Sequence, residues 1–325
     1  MKYKIIFALV FVIFFACLTA FAQGVVIENL SSVNKFTPLF EIGLGTDMST
    51  ASSYFLNNGD NYIADTVYYK NEGDTVFTPY PYTTDLKQNT YSINFKLYNP
   101  YDFYFLKSIN LEFPFTYTSL EEKFMYDSLT YSVRYTRNKD SRFDLEGMYV
   151  GLNFFDIELN PINFKVFSRY YLPFYKYKEQ SDSTDDLIYN KQIELGRSNE
   201  FLIGGSIFSN FETVSLGLTG IYEMRSADFA DRILTNFHFG FSSVKNTEIY
   251  LDASYVWSLG DYKDEYRVSL WRTNLYEKYS NIGLGFKIFF TENFYANVGY
   301  RIKVWGENSI AKNTVLLKAG YIFSK

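Results

Sequence analysis

Cysteine occurs once, at Cys17, histidine once, at His238, and proline only seven times in 325 residues. Without a cysteine beyond position 17 the main part of the chain has neither disulfides nor a thiolate metal site. One histidine and no Cys/His cluster predict no bound metal, and no cofactor motif is present. Positive charge is scarce too. Setting aside Lys2 and Lys4, 29 of the 31 basic residues stand against 36 acidic ones, a net of −7. Nucleic acid, which needs a basic stripe, is excluded as a partner. After the first 22 residues no apolar run approaches the roughly 18 that a spanning helix requires.

Those first 22 residues read as a targeting segment. Lys2 and Lys4 form a positive n-region, Ile5 to Leu18 an apolar core, and Ala20-Phe21-Ala22 an A-x-A cleavage site before Gln23. The expectation is a signal peptide over 1–22, removed after Ala22, and one domain over 23–325. A retained anchor helix fits less well, because the apolar core is shorter than the roughly 20 residues of a span. Phe15-Ala16-Cys17 loosely resembles a lipoprotein site, but Phe14 stands where an aliphatic residue is usual.

What the chain has in quantity is aromatic residues, 21%, with 31 Tyr and 33 Phe, at a mean hydropathy of only −0.15. A barrel explains both: aromatic girdles line its interfaces, and only every second strand residue touches lipid. The clearest stretch is Ile282 to Val304. Ile282, Leu284, Phe286, Ile288 and Phe290 alternate with Gly283, Gly285, Lys287, Phe289 and Thr291. After Thr291-Glu292-Asn293, the residues Phe294, Ala296, Val298, Tyr300, Ile302 and Val304 alternate with Tyr295, Asn297, Gly299, Arg301 and Lys303. Period two means strand, and the apolar face is assigned to lipid.

The pattern recurs along the chain. Predicted strands are Phe36–Met48, Thr90–Tyr98, Tyr104–Thr118, Arg142–Leu159, Ile162–Tyr177, Lys191–Phe208, Phe211–Met224, Arg232–Ser243, Thr247–Leu259, the hairpin just described, and Asn313–Phe323. Ser49–Asn89 reads as a long loop with a small hairpin near Tyr62 to Tyr69. Ser119–Ser141 reads as a hairpin rising above the membrane. Tight turns follow even-numbered strands, as at Asn160-Pro161, Ser209-Asn210 and Lys245-Asn246. Longer loops follow most odd ones. This ordering predicts an all-β, transmembrane, antiparallel up-and-down β-barrel of about 12 strands, with short periplasmic turns and long extracellular loops. A soluble β-sandwich would bury apolar faces together but gives no reason for ordered turn lengths. Phe290, Phe294, Phe208, Phe211 and Tyr321 fall near one interface; Trp257, Trp305, Tyr175 and Tyr276 fall near the other.

With its signal, hairpins and final strand, the chain resembles bacterial outer-membrane barrels of the porin-like class. Such barrels end in a strand whose terminal aromatic the outer-membrane assembly machinery reads. Lys318, Gly320 and Phe323 match that pattern in part, and Ser324-Lys325 departs from it. The resemblance implies location in the outer membrane of a Gram-negative-type bacterium, with outer-membrane lipid and the assembly machinery as partners. Fatty-acid-transporter barrels carry a longer N-terminal plug with an Asn-Pro-Ala run; neither is visible.

No enzyme is expected. By parity His238 points inward with Asn236, Gly240 and Ser242, and Ser242 lies about 13 Å along the strand at roughly 3.3 Å per residue. No serine then stands beside a base. The lumen carries the candidate site instead. Lys287, Arg301, Lys303 and Lys318 form an inward basic wall on strands ten to twelve, and Arg169 adds to it. Glu112 and Asp252 are inward acids. Arg301, Lys318 and Arg169 are expected to face Glu112 and Asp252 near mid-height, creating a transverse field that selects among solutes. The bland alternative is that these charges pair and plug the lumen, since a 12-strand barrel lies between filled and open sizes. Three functions follow: a channel or transporter for small-molecule solutes through a polar lumen, a closed structural, adhesive or assembly barrel acting through its loops, or a transporter of hydrophobic compounds. A β-bulge would invert parity beyond it, with Phe154-Phe155 and Phe289-Phe290 as the places to expect one.

Overall fold

A computed structural model describes residues 38–324, except 56–57, 63, 70–77, 99–104, 129–130, 146, 160, 175–198, 212, 227–228, 243–245 and 261–275. The expected signal peptide, its cleavage site, Tyr175 and most of the loop after strand nine lie outside the described residues.

Twelve antiparallel strands close on themselves. We label them β1 (Pro38–Ala51), β2 (Thr78–Tyr98), β3 (Ser108–Ser128), β4 (Gly147–Leu159), β5 (Ile162–Pro173), β6 (Glu200–Phe211), β7 (Val214–Arg225), β8 (Arg232–Phe241), β9 (Thr247–Ser258), β10 (Lys278–Phe289), β11 (Phe294–Glu307) and β12 (Asn313–Ser324). Each pairs with its sequence neighbours, and β12 returns to β1 with Gly43 opposite Gly320 and Gly45 opposite Lys318. Closure removes the free edges that an open sheet would present.

The alternation read from the sequence is what the two barrel faces require. Outward positions carry Leu44, Phe237, Phe239, Ile282, Leu284, Phe286, Val298, Tyr300 and Leu317, all exposed. Inward positions are glycine, polar or buried. At the lower turns, Asn246 adopts φ 66°, a conformation asparagine tolerates, which supports the tight β8–β9 connection. Thr291 Oγ1 accepts from Asn293 N at 3.3 Å and Phe294 N at 3.0 Å, closing the β10–β11 turn. Asn293 Nδ2 then donates to the Ile322 carbonyl at 2.5 Å and ties that turn to β12.

Several boundaries differ from the sequence reading. β2 starts at Thr78, not Thr90, and pairs there with a strand Ala64–Tyr69, so much of the expected loop Ser49–Asn89 is sheet. β3 runs on to Ser128 and folds back through Tyr131–Leu145, the hairpin anticipated over Ser119–Ser141. Above the apolar band both faces meet water, so the period-two apolar signal fades while the backbone stays extended. β6 extends to Phe211, opposite Val214, so the turn is not at Ser209-Asn210. Phe208 is not a girdle residue; it points inward, 4% exposed. Tyr276 is likewise buried, with Lys278 Nζ 5.6 Å from its ring centroid.

Besides shifts at Pro38/Phe40 and Glu122/Lys123, two register shifts lie where candidate inward residues are decided. One lies between Asn153 and Phe155, as expected at Phe154-Phe155, and turns Asp156 inward beside Lys165 at 3.5 Å. The other is not at Phe289-Phe290. It falls opposite Ser280-Asn281, where Lys303 and Trp305 flank an extra Val304, and it carries Trp305 to the outer face, stacked on Tyr255.

Candidate functional site

Ladder register places all eight predicted lumen residues on inward positions, yet it sorts them into separate groups. Arg169 and Glu112 form an ion pair between β5 and β3, with the guanidinium 3.8 Å from the Tyr149 ring centroid. Asp252 lies across Gly283 from Arg301 without an ion pair between them, and it accepts from His238 Nδ1 at 2.7 Å, because His238 and Asp252 are direct cross-strand partners. Lys303 leaves the basic wall: its Nζ donates to Ser309 Oγ at 2.5 Å and lies 3.6 Å from the Tyr279 ring centroid.

Around His238 the sequence reading missed a neighbour. Ser215 Oγ lies 3.5 Å from His238 Nε2 but donates to Glu248 Oε1 at 2.6 Å; Glu248 is also 3.5 Å from His238 Nε2. The signal was available only through β7–β8 register, since Ser215 and His238 are 23 residues apart. Tyr250 packs against His238 with the rings tilted and their centroids 5.4 Å apart, and donates to Asn297 Oδ1 at 2.8 Å. To reach Asn297 on β11 the ring must cross β10, and it does so over Gly285, where any side chain would collide with it. Tyr295 repeats the device lower down. It lies over Gly320, whose Cβ would come within 2.6 Å of the ring, and donates to Glu41 Oε1 at 2.6 Å. Tyr98 donates to the other Glu41 oxygen at 2.5 Å.

At the upper end Arg232 is 3% exposed and donates to Glu223 at 2.5 Å and Glu277 at 2.7 Å. A buried guanidinium is tolerable only when so paired. Below it Leu202, Ile221 and Leu234, with Phe167, form an apolar cluster inside the barrel. Its members alternate with polar inward residues, so parity alone gave no reason to expect them together.

Burial of the inward side chains varies around the wall. On β6 to β9 Leu202, Phe208, Thr219, Glu223, Leu234 and Val256 are buried, while Asn236, Asp252 and Ser254 are half-buried. On β11, β12, β1, β2 and β3 Arg301, Lys318, Asp47, Asn94 and Glu112 are half-buried, while Tyr295, Ile322, Glu41, Thr116 and Thr118 are buried. Asp47, which the sequence reading did not single out, has Arg301, Lys318 and Glu112 within electrostatic reach of its carboxylate. Among the described residues Arg301 has no ion pair within 4 Å, and no group of His, Cys, Asp and Glu is suited to a metal ion. Gly43 and Gly45 on β1 give their room to neighbours: a Cβ at Gly43 would touch Asn94 and Lys318, and one at Gly45 would come within 2.8 Å of Ser92 Oγ.

No family model matches the chain, and no curated protein matches it in sequence. Solved structures do. An outer-membrane channel from Pseudomonas putida F1 superposes with a TM-score of 0.56 at 13% identity, over 90% of this chain and 98% of that one. A TodX deltaS2S3 mutant monoaromatic hydrocarbon channel gives 0.45 at 9% identity, over 94% and 96%. The translocator domain of the autotransporter NalP from Neisseria meningitidis gives 0.36 at 10%, over 90% of each. The first likeness is one of fold, and the architecture is that of an outer-membrane β-barrel.

Proposed function

We propose that the chain is an outer-membrane channel for small polar solutes, with an off-centre path along the inward faces of β11, β12, β1, β2 and β3. The observation that carries this reading is a group of charged inward side chains that stay half-buried, Arg301, Lys318, Asp47 and Glu112. The His238 and Arg232 networks and the apolar cluster occupy the β6 to β9 side. A wall of stability devices alone would pair Arg301, and its neighbourhood of Asp47 and Lys318 is suited to sorting solutes by charge. The outward apolar band meets outer-membrane lipid. The test is conductance of the refolded protein in planar bilayers. Steps that appear on insertion are expected; an inserted protein without them would overturn the reading and favour a closed barrel acting through its loops.

Transport of hydrophobic compounds is the second reading. It is supported by the interior cluster of Leu202, Ile221, Leu234 and Phe167. It is also supported by the pairing of β3, which meets β4 only as far as Glu112 opposite Tyr149 and meets the hairpin strand Tyr131–Leu145 from Phe115 opposite Leu145. Pro114, which has no N–H to donate, lies between the two ladders. Uptake of an apolar fluorescent probe into proteoliposomes, lost on Leu234→Asp with ion conductance intact, would decide for it.

A further inference from the structure

Three short strands lie outside the barrel wall: Tyr54–Phe55 and Asn61–Tyr62 from the β1–β2 connection, and Ser309–Ile310 between β11 and β12. They form one small antiparallel sheet, with Tyr54 opposite Ile310 and Tyr62, and Phe55 opposite Ser309 and Asn61. Ala311 N donates to the Ser53 carbonyl at 3.0 Å and extends the junction. Loop residues normally lie exposed on a surface. Here Tyr54 and Phe55 are buried, and Asn308 and Ser309 are fully so.

Two contacts fasten this sheet to the barrel. Phe55 sits against Gly306 so closely that a Cβ there would come within 2.8 Å of Phe55 Cδ2 and 3.2 Å of the Lys278 carbonyl. Lys303 Nζ donates to Ser309 Oγ from below, at 2.5 Å, while resting on the Tyr279 ring. Lys312 Nζ adds a bond to Gln88 Oε1 at 2.7 Å. The strands that carry the sheet, β1, β11 and β12, are those whose inward faces hold Asp47, Arg301 and Lys318.

We infer that this three-stranded sheet is a lid over the extracellular mouth of the lumen, latched by Lys303 on Ser309 and Phe55 on Gly306. The inference rests on the channel reading. The lid opens when Ser309 leaves Lys303 and Phe55 leaves Gly306, and it swings as a unit because two loops share its backbone bonds. Closure would give the path a controllable outer end, with the barrel wall unchanged.

The test compares three proteins in planar bilayers, each shown to be folded by the heat-dependent shift of its gel mobility. Lys303→Met removes one latch and Gly306→Leu the other. The pair Phe55→Cys and Gly306→Cys locks the lid to β11 by a disulfide across the contact between them, and the only native cysteine is Cys17. Loss of one charge-assisted hydrogen bond is expected to raise the open-to-closed ratio about tenfold in Lys303→Met. The oxidised cysteine pair should remain in the low-conductance state and recover on adding a thiol reductant. Equal conductance of wild type, Lys303→Met and both redox forms of the cysteine pair would overturn the lid while leaving the channel standing. Absence of conductance in every form would overturn the channel reading and the lid with it.

Discussion

Charge reversal at Arg301 is the sharpest probe of the charged wall. Arg301 lies inward on β11, between Gly283 and Thr314 of its neighbours, with no partner within ion-pair distance among the described residues. An ion passing about 6 Å from a unit charge gains or loses about 0.7 kcal/mol at the permittivity of water. Screening over a Debye length of about 8 Å at 0.15 M salt reduces this to about 0.3 kcal/mol. Anion and cation feel it with opposite sign, so removing one positive charge lowers the anion-to-cation permeability ratio about threefold. Arg301→Gln should show that change, and Arg301→Glu, a change of two charges, about tenfold. Adding Lys318→Glu should move the preference further towards cations, while Asp47→Asn should move it towards anions. At 1 M salt, with a Debye length of about 3 Å, the Arg301→Glu effect should shrink to about twofold. Reversal potentials under a potassium chloride gradient give each ratio. Unchanged reversal potentials at low salt, in a folded and conducting Arg301→Glu protein, would refute placement of Arg301 beside the path.

Leu284→Arg puts a charge on the outward apolar band and should cost about 2–4 kcal/mol if Leu284 sits near the bilayer midplane, whereas Gly283→Ser on the inward face should cost far less; equilibrium urea unfolding in lipid vesicles compares them. Glu223→Ala leaves the 3%-exposed Arg232 with one carboxylate and should destabilise by about 3–5 kcal/mol in the same assay, while Arg232→Met with Glu223→Leu and Glu277→Leu should recover much of that. Gly285→Ala drives Tyr250 off the wall and should cost about 1–3 kcal/mol, an effect that Tyr250→Ala in the same chain should largely erase.

Much of the barrel was legible because the two faces of a membrane strand meet different solvents. Ile282, Leu284 and Phe286 had to alternate with Gly283, Gly285 and Lys287, and they do so in the structure. Where that contrast disappears, as over Thr78–Asn89, the local pattern reads as loop although the backbone is strand. The candidate site was legible only as a set of inward residues. Ser215, Glu248, Glu223 and Asp47 were not picked out, since nothing local distinguishes them from other polar inward positions.

The sequence by itself determined strand number, the sidedness of turns, and the inward orientation of Arg169, Glu112, His238, Asp252, Lys287, Arg301, Lys303 and Lys318, because each follows from a two-residue period over a short span. Tertiary structure decided who meets whom. Closure of β12 on β1 and the register of each ladder place His238 between Asp252 and Glu248. They likewise bring Arg232 to Glu277, 45 residues away, and set Arg301 between Gly283 and Thr314. Bulges at Phe154 and Val304 add a residue to one strand and so reverse every orientation beyond them. Such pairings depend on the stagger of twelve strands around a closed circuit, which no local window of sequence contains.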